Sequence, residues 1–213
     1  MKKMIFGIGT GRCGTKSLCG FLNSQKKIIS GHESYLLPWK PNLFYLMQLL
    51  SIMKNEPYKY VVECASYILP YAIEILKENP TTKFICLKRN KDAVVESFIK
   101  KSGLRNHWVN DEIRERRNFE KDKKWDKCFP SYYIDSKYKA IEKYFDEYYQ
   151  TVNQLIDKYP NNFAVFNINN LNTKEGKKSI LEFIEYKYEF NLDGNFQYNK
   201  GLDNTPKRYF CKK

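Results

Sequence analysis

The segment Gly9-Thr10-Gly11-Arg12-Cys13-Gly14-Thr15-Lys16-Ser17 places three glycines, two cations and three hydroxyl side chains within nine residues. Glycines let successive backbone N–H groups turn toward one point, and where such a loop opens a helix the unpaired amides and the helix dipole favour an anion. Phosphate or a close analogue is the expected ligand. As a Walker A loop the segment fails by one position, because Thr15 fills the lysine slot and Lys16 and Ser17 are displaced. No strand ends in an aspartate suited to hold magnesium either. As a dinucleotide fingerprint, Gly9, Gly11 and Gly14 match G-x-G-x-x-G, and Glu33 lies about 20 residues on, where a ribose-binding acid belongs. That reading gives an NAD(P)-dependent oxidoreductase with a Rossmann-type loop, but it leaves Arg12 and Lys16 as two cations in a loop that works through backbone groups.

Arg89 and Ser97 form a second group. Arg89 leaves an apolar run and Ser97 lies two helical turns into the next segment, so both can reach one anion if the chain turns back over it. An arginine fork suits phosphate oxygens. His32 and Glu33 follow a further apolar run and supply two candidate general bases. Cys13 beside Arg12 at a helix start could carry a lowered pKa, but position 19 is cysteine where a phosphatase loop needs arginine, so the thiol is read as a small loop residue. His107 beside Trp108 reads as part of a packed aromatic turn.

These groups need elements to hold them. Met4 to Ile8 is a short apolar run before the glycine loop, and Leu18, Phe21 and Leu22 then recur at helical spacing, which predicts strand, loop and helix. Further strands are expected at Lys27–Ser30, Tyr60–Cys64, Lys83–Leu87 and Phe163–Phe166. Helices are expected at Leu43–Met53, from Pro70 to Asn79, at about Asp92–Lys101, along the aromatic stripe from Ile141 to Tyr159, and at about Thr173–Ile184. Strands alternating with helices predict an α/β fold with a mainly parallel central sheet, its ligand site at the carboxyl ends of the strands. From Asp111 to Lys127, 13 of 17 residues are charged. Such a stretch is too polar for core and is expected to be a solvated helix or a mobile flap over the site.

Arg12-Cys13-Gly14-Thr15-Lys16-Ser17-Leu18 resembles the 5′-phosphosulfate loop of sulfotransferases that use 3′-phosphoadenosine 5′-phosphosulfate (PAPS). The stretch from Phe84 to Phe98 resembles that family's 3′-phosphate segment, with an arginine leaving a strand and a serine eight residues later. The two motifs occur in the family's order, over about Met4 to Lys100. The resemblance implies a three-layer, P-loop-like fold and sulfuryl transfer by in-line displacement to a hydroxyl or amine acceptor, a small molecule or carbohydrate, without a metal. It implies that Gly11, Arg12, Cys13, Gly14, Thr15, Lys16 and Ser17 hold the 5′-phosphate, that Arg89 and Ser97 hold the 3′-phosphate, and that Lys207 and Arg208 close over it. Glu33 resembles the catalytic glutamate of Golgi-type and many bacterial members, with His32 as the other candidate. Residues 1–213 are then one sulfotransferase-like domain, with about 103–135 as a charged flap or acceptor-site insertion.

Composition bounds these readings. The 213 residues are 42% hydrophobic and 29% charged, a globular balance, and the longest apolar stretch, Leu43 to Ile52, is about half a bilayer crossing. A net charge of +13 suits a polyanionic partner, so a basic nucleic-acid-binding module is a further alternative; the PAPS reading needs no nucleic acid. Six cysteines without a C-x-x-C pair, and only two histidines, argue against a zinc site. The N-terminus lacks the features of a signal peptide, so a reducing, cytoplasmic setting is expected.

Overall fold

Five apolar runs become the strands of one sheet in the computed structural model, which describes residues 2–194 and 196. The strands are β1 (Lys3–Ile8), β2 (Ile28–His32), β3 (Tyr60–Cys64), β4 (Lys83–Lys88) and β5 (Phe163–Asn167), and they lie in the order β2-β3-β1-β4-β5. Every neighbouring pair is parallel. A parallel sheet needs a crossover between successive strands, and crossover helices cover both of its faces. Side chains alternate along β1: Met4, Phe6 and Ile8 enter the core beneath α2 (Leu43–Asn55), α3 (Ala72–Glu78), α4 (Lys91–Ser102) and α6 (Lys137–Lys158). Ile5 points to the opposite core, under α1 (Thr15–Asn23) and α7 (Lys174–Phe183). The result is the expected three-layer α/β fold.

Register ties the central strands together. Phe6 faces Phe84 across β1 and β4, and Phe84 faces Phe163 across β4 and β5, so three rings stack with centroids 5.5 and 4.3 Å apart. Aromatic pairs of this kind add about 0.5–1.5 kcal/mol beyond the area they bury.

Three expectations change. β2 runs to His32 rather than stopping at Ser30, so His32 is the last residue of a strand and Glu33 the first residue beyond it. Pro70, expected at a helix start, lies inside a 3-10 turn over Ser66–Tyr71, and α3 begins at Ala72. Proline has no amide to donate, so it sits in the tighter turn ahead of the helix. The charged stretch holds the short helix α5 (Asp111–Arg116), whose Ile113 is buried in the first core; Phe119 and Trp125 pack partly buried against the same core. Just before it, Trp108 is fully buried against Phe98, Phe129 and Tyr144. The buried Lys137 donates to the carbonyls of Gly103 and Arg105, both at 2.8 Å, and ties the segment to the start of α6.

Candidate functional site

The glycine loop leaves β1 at the carboxyl edge of the sheet and enters α1. Gly9, Gly11 and Gly14 take φ values of +150°, +80° and +98°, which side-chain-bearing residues rarely adopt. Space excludes a side chain as well: a Cβ at Gly9 would lie 2.4 Å from Cys13 Sγ and 2.7 Å from the Leu87 carbonyl oxygen. Arg12 also has positive φ, +54°. Helices α2, α4, α5, α6 and α7 begin at an Asn, Ser or Thr whose side chain accepts a first-turn amide, whereas α1 begins at Gly14 with no side-chain cap.

The loop is held from below by α6. The Gly9 amide donates to the Tyr148 hydroxyl at 2.9 Å, and that hydroxyl donates to the Ser66 carbonyl at 3.1 Å. The Tyr144 hydroxyl donates to the Thr10 carbonyl at 3.0 Å, and the Tyr149 hydroxyl to the Leu87 carbonyl at 2.8 Å. Periodicity places Tyr144 and Tyr148 correctly in the core, but it does not show that their hydroxyls splint the loop.

Arg12, Arg89 and Ser97 converge. Arg12 Nε donates to Ser97 Oγ at 2.9 Å, and Arg89 Nη1 donates to the Arg12 carbonyl at 3.1 Å. β4 ends at Lys88, so Arg89 emerges at the same sheet edge as the loop, and α4 carries Ser97 back over it. Burial lowers the Arg12 pKa, and the neighbouring Arg89 charge lowers it further. Among the described residues no carboxylate forms an ion pair with either guanidinium. Two arginines drawn together in this way make a site that an anion would relieve.

On the other side of the loop, the Thr15 hydroxyl and His32 Nε2 share a hydrogen bond of 3.0 Å. Burial, then the charges of Lys16 and Lys124, depress the His32 pKa to about 4, so the ring is neutral at pH 7 and a weak base. Glu33 lies beside it, with Oε2 3.8 Å from His32 Nδ1. Burial pushes the Glu33 carboxyl upward, and Lys124, Arg12 and Lys16 pull it back. Its backbone is in the left-handed region, φ +52°, at a cost of about 1–3 kcal/mol, and neighbouring strand β3 holds it there. The Glu33 amide donates to the Cys64 carbonyl at 3.1 Å, and the next amide, of Ser34, donates to Glu63 Oε1 at 2.9 Å.

Glu63 was not visible as a site residue in the sequence. It lies in the middle of an apolar strand and is fully buried, and burial raises its carboxyl to about 8. Its Oε2, Ser34 Oγ and the Tyr67 hydroxyl are buried with no hydrogen-bond partner among the described residues. Burial raises the Tyr67 phenol, and the charges of Glu63 and Glu33 raise it further. Lys124, whose charge together with that of Lys16 bears on both His32 and Glu33, comes from the charged stretch and was equally hidden.

Other expectations resolve as follows. Cys13 is fully buried and its thiol is pushed up to about 11, the reverse of an activated nucleophile. The described cysteines, at positions 13, 19, 64, 86 and 128, are free thiols. His107 is buried between Trp108 and Phe129, with ring centroids at 4.4 and 4.8 Å, as a packed aromatic turn requires. Lys207 and Arg208 lie outside the described residues. Among the described residues no group of three His, Cys, Asp or Glu could hold a metal ion, and no helix is long and apolar enough to cross a membrane. The dinucleotide reading meets an obstacle in the strand order. A Rossmann sheet sets β2 beside β1 so that its acid reaches the ribose, whereas here β3 lies between them and carries Glu33 one strand further away.

No protein-family model matches the chain, and no curated protein sequence matches it. Solved structures do. A sulfotransferase from Alicyclobacillus acidocaldarius superposes with a TM-score of 0.61 at 15% identity, over 93% of this chain and 86% of that one. Mouse sulfotransferase SULT7A1, complexed with PAP, superposes with a TM-score of 0.50 at 14% identity, over 89% of this chain and 61% of that one. The fold is therefore that of sulfotransferases.

Proposed function

We propose that this protein transfers a sulfuryl group from PAPS to a hydroxyl or amine of a small-molecule or carbohydrate acceptor. The observation that carries the reading is the convergence of Arg12, Arg89 and Ser97 at the mouth of the glycine loop, where Arg12 donates to Ser97 at 2.9 Å and the two guanidinia have no carboxylate partner among the described residues. The sulfotransferase fold and the uncapped start of α1 support it. When bound, the nucleotide supplies an activated sulfuryl group, and 3′,5′-adenosine bisphosphate leaves as the new sulfur–oxygen bond forms. Arg89 and Ser97 would hold the 3′-phosphate. The Gly11–Ser17 loop, with Arg12, Thr15 and Lys16, would hold the 5′-phosphate and offset the charge that builds on it.

Glu33 is the base on this reading. It would take the proton from the acceptor oxygen as that oxygen attacks, while His32, neutral and already bonded to Thr15, would position the loop. The reading predicts a separation of roles. Arg89→Ala should weaken binding of 3′,5′-adenosine bisphosphate by roughly tenfold to a hundredfold, for loss of a charge-assisted contact of about 1.5–3 kcal/mol. Glu33→Gln keeps the size and polarity of the side chain but cannot take a proton, so kcat should fall by about 10²–10⁴ with nucleotide affinity little changed. Calorimetry and turnover on the two variants test both. If Glu33→Gln retains full turnover while His32→Ala abolishes it, the base is His32; if neither variant alters either quantity, the site lies elsewhere.

A further inference from the structure

Helix α2 reads Leu-Phe-Tyr-Leu-Met-Gln-Leu-Leu-Ser-Ile-Met-Lys-Asn; it is apolar all round over Leu43–Met47, after which the exposed Gln48, Ser51, Lys54 and Asn55 enter its outward side. Leu46, Leu49, Leu50 and Met53 enter the core, while the outward side leaves Phe44 66% exposed, Leu43 55% and Met47 44%. Leu36, Tyr45, Ile52 and Tyr58 are exposed as well, so seven of the twelve exposed large hydrophobics among the described residues fall within positions 36–58. Scattered apolar residues at a surface mean little, but a contiguous group signals a surface that something covers. A helix apolar on both sides belongs either inside a protein or against a lipid phase.

Charge chooses between those covers. No Asp or Glu occurs between Glu33 and Glu56. The exposed Lys40 precedes the helix, the exposed Lys54 and Lys59 stand at its far end, and Lys2 donates there to the carbonyls of Lys54 and Glu56. A second copy of the chain would set these lysines, and a net charge of +13, against themselves. An anionic lipid surface answers both features at once, since it takes apolar side chains into its headgroup boundary and attracts flanking lysines. Topology gives the orientation. β2 ends at the sheet edge that carries Glu33, and the crossover to the parallel strand β3 returns through α2, so the first turn of α2, with Leu43 and Phe44, is the end of the helix nearer that edge.

We infer that the outward face of α2 seats this protein reversibly on an anionic lipid surface, with Leu43, Phe44 and Met47 entering the interface and the site edge turned toward the headgroups. The test is co-sedimentation of the whole chain with phosphatidylglycerol–phosphatidylcholine vesicles, with phosphatidylcholine vesicles alongside. It compares wild type, the double variant Phe44→Gln/Met47→Gln and, independently, Leu43→Gln. These positions are exposed, so unchanged melting temperatures should show that the variants fold. Wild type should bind the anionic vesicles, and the double variant should partition at least about tenfold more weakly. The inference is overturned if wild type does not bind, or if the variants bind equally well, which would assign binding to net charge alone. It is also overturned if sedimentation shows a dimer that the variants convert to monomers, because a second copy would then cover the face. None of these outcomes depends on the sulfuryl-transfer reading.

Discussion

Glu63 keeps a fully buried carboxyl on β3, with one oxygen on the Ser34 amide and the other unpartnered among the described residues. Burial raises it from 4.5 to about 8, so between those values the folded chain holds a proton that the unfolded chain has released. Stability contributed by that proton is present at low pH, falls as pH rises through the window and levels off above about 8. Glu63→Gln keeps an acceptor for Ser34 but cannot ionise. Urea denaturation at pH 5, 6.5 and 8 should therefore show wild type losing stability relative to this variant as pH rises; parallel curves would contradict the assignment. Residues of this kind explain what the sequence hides. Glu33 is legible because it stands just past an apolar run at the sheet's carboxyl edge, whereas Glu63 lies inside such a run, where only three-dimensional burial reveals its state. Lys124 is one cation among many in a charged stretch, and only packing of the neighbouring Trp125 and Phe129 brings its charge to bear on His32 and Glu33.

At the level of elements, α6 splints the glycine loop although it is far from it in sequence. Tyr148 bridges the Gly9 amide and the Ser66 carbonyl, so Tyr148→Phe keeps the packed ring and strands two buried backbone groups. Such a loss costs about 1–3 kcal/mol, measurable as a lower urea midpoint, and nucleotide affinity should fall with it as the loop relaxes. An unchanged midpoint would show that the splint is dispensable. The helical spacing from Ile141 to Tyr159 is plain in the sequence because burial on one face repeats with the helix period. Tyr149 follows Phe145 by four residues on the same side of the helix, but spacing does not show that its hydroxyl reaches Leu87. The alternation of strands and helices likewise makes a parallel sheet legible. It cannot give the order β2-β3-β1-β4-β5, because connection lengths allow β2 to settle on either side of β3. That order separates Glu33 from β1 and counts against the dinucleotide reading.

The whole molecule is a parallel sheet with helices on both faces, and the candidate site residues sit at one edge of it. The loop after β1, His32 and Glu33 after β2, and Arg89 after β4 all emerge there, because parallel strands deliver their carboxyl ends together. The net charge of +13 is spread over the chain, but at this edge cations gather: Lys124, Arg12 and Lys16 bear on the Glu33 carboxyl, and Arg89 bears on Arg12. On the proposed reading, Arg89 and Ser97, which meet Arg12 at the mouth of the glycine loop, would distinguish a nucleotide with a 3′-phosphate from one without. Thermal unfolding with 3′,5′-adenosine bisphosphate and with AMP measures that distinction directly. At 100 times its dissociation constant the bisphosphate should stabilise the protein by about 2.7 kcal/mol, a rise of roughly 5–10 °C, with AMP at the same concentration doing much less. Equal shifts from the two nucleotides, or none from either, would contradict the 3′-phosphate station and with it the central claim.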